Sequence, residues 1–459
     1  MTDVTAADTA VLKALRRVRT PAPRRNRELF LLLFAIALST GAMVLVQYGA
    51  LGHTSTPELV LSGLLGLLAL AAHVVLRLRA PAADPLVLPI AFLLTGIGIA
   101  EIYRIGLSGV QGTSATAGAN QVAYAAMSIL IAAVVVWFLG NYRVLYRYTY
   151  VFGLAGILLL LLPFVPFLNG GGNAQVWIRI FGFNFQPGEI AKICLAIFFA
   201  GYLVRTRESL ATTGRKFLGF TFPRAREFGP IVVIWALSLI IIVIQRDLGT
   251  GLLVFGMFVV TLYVATGKTG WMLIGVLLAL GAAVAASFVL EYVGWRFTNW
   301  LDAFNPEVYN RDGGSFQLVQ GLFGMAHGGL FGTGLGQGRP YITPVSQSDY
   351  ILPSLGEELG LVGVFAILAL YLVFVGRGLR IGIAGQDDFG KLLSTALSFT
   401  LALQVFIMVG GVTRLLPLTG LTTPFLAAGG SSLLANWIIV ALILRISDAV
   451  RQQPRAVIG

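Results

Sequence analysis

The segment Gln186-Pro187-Gly188-Glu189-Ile190-Ala191-Lys192 places a carboxylate and an ammonium three residues apart at the start of an apolar stretch. Because proline favours the first turn of a helix, Glu189 and Lys192 should share one helix face and form an ion pair. A lysine inside a membrane helix costs about 2.5–3.5 kcal/mol on insertion scales, and such residues usually mark a functional polar cavity. The alternative is a structural ion pair that locks neighbouring helices together.

Other side chains that could do chemistry are predicted on the outer side of the membrane. Asp349, in the segment 346–351 just before the chain re-enters the membrane, could act as a general base. The glycine-rich stretch 328–336 offers backbone N–H groups to a phosphate, and outer tryptophans such as Trp177 could stack on a sugar or belong to an aromatic belt. Five cations could hold an anionic head group such as a pyrophosphate, although interfacial arginines also anchor helices: Arg179, Arg246, Arg339, Arg414 and Lys192.

The composition is that of a polytopic membrane protein. Of 459 residues, 57% are hydrophobic and 11% are charged, with a mean hydropathy of +0.85, whereas soluble domains carry about a quarter charged residues. Apolar segments long enough to cross the hydrocarbon predict about twelve spans: 29–50, 57–76, 85–103, 119–139, 148–166, 189–204, 229–244, 248–266, 270–290, 357–376, 390–411 and 425–445. With three histidines and one cysteine, the chain has neither a His–Cys metal cluster nor the usual hydrolase sets.

The distribution of charge predicts the orientation. With both termini in the cytoplasm, most of the 32 lysines and arginines lie on the inner side, as the positive-inside rule requires. This explains the net charge of +12 without a nucleic-acid partner. We expect four regions, with the chemistry on the outer side: a basic tail (1–28), two N-terminal helices (29–84), a core with the large outer loop 291–356 (85–447) and a second cytoplasmic tail (448–459).

Four stretches of the chain, in order, resemble motifs of the SEDS (RodA/FtsW) family of bacterial cell-shape and division proteins, especially its actinobacterial RodA branch. The first combines Asn169-Gly170, Trp177-Ile178 and 185–189 with Lys192, and the second is Gln245-Arg246-Asp247-Leu248-Gly249-Thr250. The third runs from Gln317 through the glycine-rich stretch and Ser348-Asp349-Tyr350 to Glu357-Glu358. The fourth joins 417–420 to 429–432, so that the resemblance covers about residues 85–447.

The resemblance implies an all-α fold, a ten-helix core preceded here by two extra transmembrane helices. It implies a peptidoglycan glycosyltransferase that polymerises lipid II at the outer face of the bacterial cytoplasmic membrane, beside a class B penicillin-binding protein. The family's essential outer-loop aspartate maps onto Asp349, which would take a proton from a sugar hydroxyl. We expect Lys192 to share one cavity with Asp349, and we expect a further set to bind the pyrophosphate and sugar of the substrate: Lys192, Glu189, Arg246, Arg414, Gln186 and Trp177.

The chain departs from the family pattern at several positions. Val176 replaces an arginine, Arg246 replaces a proline, Ala427-Ala428 replaces Ser-Tyr, and Gln347-Ser348-Asp349-Tyr350 replaces His-Thr-Asp-Phe. No cofactor is indicated with certainty, and a divalent cation (Mg²⁺ or Mn²⁺) stays open as a further neutralising charge. Two other functions also stay open: a flippase or transporter of a lipid-linked precursor, and a non-catalytic scaffold for the penicillin-binding protein.

Overall fold

The computed structural model describes residues 25–109, 116–168, 170, 175–180, 183–212, 214–217, 220–223 and 225–452. The tails predicted at 1–28 and 448–459 lie in large part outside these residues, as does Asn169 of the first motif. The described helices are α1 (Arg25–Leu51), α2 (Thr56–Arg79), α3 (Val87–Leu107), α4 (Ala117–Phe138), α5 (Val144–Arg147), α6 (Thr149–Leu161), α7 (Pro187–Thr212), α8 (Ala225–Ile244), α9 (Leu248–Thr266), α10 (Thr269–Val289), α11 (Glu291–Leu301), α12 (Pro306–Asn310), α13 (Phe316–Gly328), α14 (Ile351–Ala384), α15 (Asp388–Val412) and α16 (Gly430–Gln452).

The predicted fold class, an all-α polytopic membrane protein, is confirmed. Within the described ranges, ten helices are long and apolar enough to cross a membrane: α1–α4, α7, α9, α10 and α14–α16. Shorter apolar helices at Thr149–Phe164 and Gly229–Ile244 coincide with the predicted fifth and seventh spans, so the total of twelve stays a prediction. Two small antiparallel hairpins interrupt the helical pattern, one of β1 (Ile178–Ile180) with β2 (Phe183–Phe185), the other of β3 (Gly214–Phe217) with β4 (Phe220–Pro223).

Helix α14 consists of two helical segments that meet at a break. The predicted span began at Glu357, but a first segment begins at Ile351 and the break falls at Gly360, whose φ is 68°. An added Cβ at Gly360 would overlap the backbone of Gly332, so the break accommodates a close approach of the outer loop. Glu357 and Glu358 therefore lie on the loop side of this break instead of opening the transmembrane segment.

Helices α3, α7, α15 and α16 are the most deeply buried of the described spans, and α10 buries only Gly275. Helix α1 packs against α2 and α3, α7 packs against α6, α9 and α15, and α4 packs against α16. At the end of the bundle where α14 ends and α15 begins, the fully buried Asp84 accepts hydrogen bonds from Arg377 (Nε, 2.8 Å) and from Arg451 (Nη2, 2.5 Å). One carboxylate thus joins the connection before α3 to α14 and α16.

Replacing Asp84 with alanine should destabilise the fold, because Arg377 and Arg451 would lose their shared counter-ion. Removing one partner of a buried ion pair costs about 3 kcal/mol, and Asp84→Asn, which keeps hydrogen-bonding capacity, should cost less. Denaturation of the purified protein in detergent measures both changes. An unaltered unfolding midpoint for Asp84→Ala would contradict this assignment.

Candidate active site

A cavity of about 610 Å³ opens in the outer-loop region, within the size range of small-molecule sites. Its walls come from parts of the chain that are distant in sequence. Helix α11 contributes Arg296 and Trp300, the segment 309–318 forms a second wall, and Leu418 and Gly420 form a third. Asp349 adds a carboxylate where these walls meet.

Asp349 is partly buried and immediately precedes Tyr350, which occupies the N-cap position of α14. Its carboxylate lies against Gly420, where an added Cβ would be 3.7 Å from Oδ2. Burial raises the pKa of Asp349, and the hydroxyl of Ser348 and the charge of Arg296 oppose that rise. A desolvated carboxylate with a raised pKa is a better proton acceptor than one in bulk water. The geometry therefore suits a general base.

Arg296 is a candidate residue that the sequence analysis did not select. It lines the same cavity as Asp349, and its charge interacts with both Asp247 and Asp349. Its Nη1 donates to the carbonyl oxygen of Leu418 at 3.0 Å, which fixes the guanidinium group against the fourth motif. The signal that could have found it is the amphipathic character of α11, which suits a helix lying along the membrane surface beside the outer loop.

The predicted ion pair between Glu189 and Lys192 is confirmed. Lys192 Nζ lies 2.9 Å from Glu189 Oε2, and both residues are 3% exposed. The ammonium also donates to Gln404 Oε1 at 3.3 Å, and Gln404 Nε2 donates to the carbonyl oxygen of Thr422 at 2.8 Å. The pair is thus enclosed between α7, α15 and the segment after α15. Because Lys192 does not line the 610 Å³ cavity, the prediction that it shares one cavity with Asp349 is wrong.

Asp247 connects the enclosed ion pair to the cavity. Its Oδ1 accepts a hydrogen bond from the Thr250 backbone N–H at 3.0 Å, capping α9, and its Oδ2 accepts one from Gln186 Nε2 at 3.5 Å. Burial raises the pKa of Asp247, hydrogen bonds from Thr250 oppose the rise, and the charges of Glu189 and Lys192 also act on it. Asp247 in turn interacts with Arg296. We call Lys192, Asp247, Arg296 and Asp349 the charge row.

Of the remaining predicted residues, Gln186 contacts the charge row, whereas Arg246 and Trp177 lie outside the cavity. Gln186 belongs beside it, because its backbone N–H donates to Ser431 Oγ at 2.9 Å while its side chain reaches Asp247. Arg246 is exposed and its guanidinium lies 5.8 Å from the ring centre of Tyr292. Trp177 is half-buried beside β1, and its carbonyl oxygen accepts a hydrogen bond from Gly170 at 2.9 Å. Neither Arg246 nor Trp177 lines the cavity, and their roles in substrate binding stay predictions.

Arg414 fastens the outer loop to the helix bundle. Its guanidinium group donates to the carbonyl oxygens of Trp300 (2.7 Å) and Leu301 (2.6 Å), and the indole N–H of Trp300 donates to the carbonyl oxygen of Arg414 at 2.9 Å. These reciprocal bonds hold the end of α11 against the segment after α15. Arg414 does not line the cavity either, so its predicted role in substrate binding stays a prediction.

Ala427-Ala428, which replaces Ser-Tyr of the family pattern, contacts the Asp349 segment through its backbone. The N–H of Ala428 donates to the carbonyl oxygen of Gln347 at 2.8 Å, two residues before Asp349. The glycine-rich stretch 328–336 was predicted to offer its backbone N–H groups to a phosphate. Gly336, however, donates its N–H to the Glu358 carboxylate at 2.7 Å. That N–H group is therefore not free for a phosphate.

The described residues include no group of three or more His, Cys, Asp or Glu side chains that could hold a metal ion. The carboxylates that line the cavity are those of Asp312 and Asp349, and the guanidinium groups of Arg296 and Arg311 line it with them. A divalent cation needs several oxygen ligands. Two carboxylates supply only part of such a set, so the divalent cation stays a prediction.

The fold and the cavity together define a polytopic helical membrane protein whose candidate active site lies in the loop region at one end of the bundle. The family model for FtsW, RodA and SpoVE, described as "Cell cycle protein", matches residues 84–452. The chain belongs to this family.

The curated relatives extend the match to nearly the whole chain. The peptidoglycan glycosyltransferase RodA of Mycobacterium tuberculosis (strain H37Rv) is 44% identical in an alignment of 454 residues that covers 97% of this chain and 96% of the relative. RodA of Mycobacterium leprae is 41% identical over 455 residues, 98% of this chain and 96% of the relative. A probable peptidoglycan glycosyltransferase FtsW of Geobacter metallireducens is 34% identical over 379 residues, 81% of this chain and 96% of the relative.

Solved structures show the same fold at lower identity. A chain of a peptidoglycan synthase complex, described as coordinating polymerization and crosslinking, aligns with a TM-score of 0.65 at 23% identity, covering 81% of this chain and 99% of that one. The rod shape determining protein RodA of Thermus thermophilus aligns with a TM-score of 0.56 at 21% identity, covering 80% of this chain and 97% of that one.

A double substitution measures how strongly the two charges of the buried Glu189–Lys192 pair are coupled. Lys192→Met should destabilise the protein by about 3 kcal/mol, because it leaves the Glu189 carboxylate buried without its counter-ion. Adding Glu189→Gln removes the unpaired charge and should restore most of that loss. Unfolding of the two single variants and the double variant in detergent measures the coupling. Additive losses would mean that the two side chains do not act as a pair.

Proposed function

We propose that this protein is a peptidoglycan glycosyltransferase that polymerises lipid II into glycan strands at the outer face of the bacterial cytoplasmic membrane, during cell elongation. The observation that carries the proposal is the placement of Asp349, partly desolvated and beside Arg296, in a 610 Å³ cavity. Family membership supports it, as does 44% identity to mycobacterial proteins named peptidoglycan glycosyltransferase RodA.

Glycan extension needs a base for a very weak acid. A sugar 4-hydroxyl attacks the anomeric carbon of a second sugar, and its proton has to leave as the new C–O bond forms. Asp349 accepts that proton, and the bond from the anomeric carbon to the pyrophosphate oxygen breaks with its electron pair leaving on the pyrophosphate. General-base assistance of this kind is worth about 10²–10⁴-fold in rate. A single displacement inverts the anomeric carbon, converting a lipid-linked α sugar into a β linkage.

The departing pyrophosphate needs positive charge instead of a proton donor. Two guanidinium groups line the cavity, those of Arg296 and Arg311. Arg311 Nη2 donates to Asn299 Oδ1 at 3.0 Å, and the group stacks 5.1 Å from the ring centre of Trp295. Fixed cations in a partly water-excluded site stabilise developing negative charge without reorganising during the reaction.

The membrane setting fits a polyprenyl-linked substrate. The chain is a multi-pass membrane protein, and the distribution of its lysines and arginines supports a cavity that faces the outer side. The substrate's lipid tail would remain in the bilayer while its sugars enter the cavity. We propose a class B penicillin-binding protein as the partner, supported by the structural likeness to a synthase complex that couples polymerization with crosslinking.

A flippase and a non-catalytic scaffold are the rival functions. A transporter places its polar groups near the membrane midplane, on discontinuous helices. Here Asp349 and Arg296 lie outside the spans, in loop segments that close a cavity. A scaffold has no need of a partly desolvated acid beside an arginine. Reconstituted protein given labelled lipid II separates the three functions: polymer, translocation without polymer, or neither.

Asp349→Asn should lower polymerisation of lipid II by at least about 100-fold, because the amide has no useful basicity. The matched control is Asp302→Asn, an exposed aspartate of the same loop that does not line the cavity. Gel analysis of products made by purified protein from labelled lipid II measures both. Wild-type rates for Asp349→Asn, with folding intact, would refute the assignment of the base.

Arg296 should set the acid limb of the pH–rate profile. Asp349 acts as a base only when ionised, so activity rises as pH increases through its pKa. Arg296 lowers that pKa, and its removal raises it further. Arg296→Gln should therefore move the acid limb to higher pH, whereas Arg296→Lys should leave it near the wild-type position. A profile of kcat/KM measures the limb. An unshifted limb in Arg296→Gln would show that the two charges are uncoupled.

A further inference from the structure

The loop that carries Asp349 is closed at its base by the carboxylate of Glu358. Glu358 Oε2 accepts a hydrogen bond from the backbone N–H of Gly336 at 2.7 Å, and Oε1 accepts one from Gly338 at 3.2 Å. Arg104 of α3 binds both residues that meet at this base, donating to Glu358 Oε1 at 3.2 Å and to the carbonyl oxygen of Gly338 at 2.7 Å. Asp349 lies in the sequence between Gly338 and Glu358.

The C-terminal end of α1 contacts this base. Gln337 Nε2 donates to the carbonyl oxygen of Gly49 at 2.9 Å. The backbones are in direct contact, because an added Cβ on Gly49 would overlap the carbonyl oxygen of Leu335. Gly336 adopts a φ of 83°, and an added Cβ there would lie 2.6 Å from the carbonyl oxygen of Val46. The turn 335–337 therefore lies between Glu358 on one side and α1 on the other.

Helices α1 and α2 are outside the part of the chain that the family model matches, which begins at residue 84. The mycobacterial relatives, in contrast, match 97% of the chain or more. A pair of helices that served only as a membrane anchor would not need a close backbone approach to a loop of the core. The approach instead makes the position of the turn depend on α1.

We propose that α1 is a positioning element of the active site: through Gly49 it holds the turn 335–337, and thereby the base of the Asp349 loop. This inference rests on the proposed glycosyltransferase function. Few contacts separate α1 from Asp349. Helix α1 holds the turn 335–337, and Glu358 of α14 bonds to that turn. Asp349 in turn immediately precedes Tyr350, the N-cap residue of α14.

A methyl group at Gly49 tests the proposal with the smallest available change. The matched control is Gly41→Ala in the same helix, where an added Cβ meets no atom within 4 Å. Alanine is at least as good a helix former as glycine, so neither change should weaken α1 itself. In Gly49→Ala the turn has to move by about 1 Å to restore normal van der Waals separation. A misplacement of that size near a reacting group can cost up to about 100-fold in rate.

We expect Gly49→Ala to lower kcat for lipid II polymerisation by roughly tenfold or more, with KM within about twofold of wild type and a lowered unfolding midpoint, because the added Cβ meets backbone atoms of the turn. Gly41→Ala should match wild type in all three. Because loss of positioning acts on the chemical step, the split between kcat and KM separates it from a loss of binding. Equal activity in Gly49→Ala and Gly41→Ala would overturn the proposal.

A second variant keeps the test decisive if Gly49→Ala does not fold. Gln337→Ala removes the hydrogen bond to Gly49 from an exposed side chain, so it should fold normally. It should lower kcat in the same direction by a smaller factor, and full activity in a folded Gln337→Ala would contradict the proposal. Wild-type protein that makes no polymer would instead refute the proposed function, so the two failures are distinguishable.

Discussion

Compensation of buried charge is the constraint on which the site depends. Lys192 is enclosed in the helix bundle, and Glu189 and Gln404 satisfy its ammonium there. Asp247 is stabilised as a helix cap, and Arg296 interacts with Asp247 on one side and with Asp349 on the other. Within the row, Lys192 is compensated by Glu189, Asp247 by the hydrogen bonds at the start of α9, and Asp349 by Ser348 and Arg296. The basicity of Asp349 is accordingly set by its own burial, which raises its pKa, and by the Ser348 hydroxyl and Arg296, which lower it.

The second requirement is a loop that does not move relative to the bundle. Gly360 interrupts α14, which lets Glu358 face the loop and close its base. Arg414 ties the end of α11 to the segment after α15, and the backbone of Ala428 holds the chain beside Asp349. Backbone atoms make most of these contacts. A catalytic carboxylate on a loop can in this way reach the fixed geometry that a helix would otherwise provide.

Features that depend on residues close together in the sequence could be predicted, and features that depend on residues far apart in it could not. Apolar length predicts the spans, and a spacing of three residues on a helix predicts the Glu189–Lys192 pair, because both are local properties. Resemblance to the family located Asp349. The partners of these residues are not local: Gln404 is 212 positions from Lys192, and Arg296 meets Asp349 only because the outer loop folds back. Hydropathy does not predict the break in α14 at Gly360, because the break depends on a backbone contact with Gly332.

The departures from the family pattern are consistent with retained chemistry because they fall on supports of the site. A proline, which the family has at position 246, fixes φ near −65°, whereas Arg246 has a φ of 63°. The turn before α9 is therefore built differently here, yet Asp247 still caps the helix and reaches Gln186. Ala427-Ala428 lacks the usual hydroxyls but keeps its backbone bond to Gln347. Substitutions that change how a carboxylate is held, while leaving the carboxylate in place, alter the rate of a reaction more readily than its type.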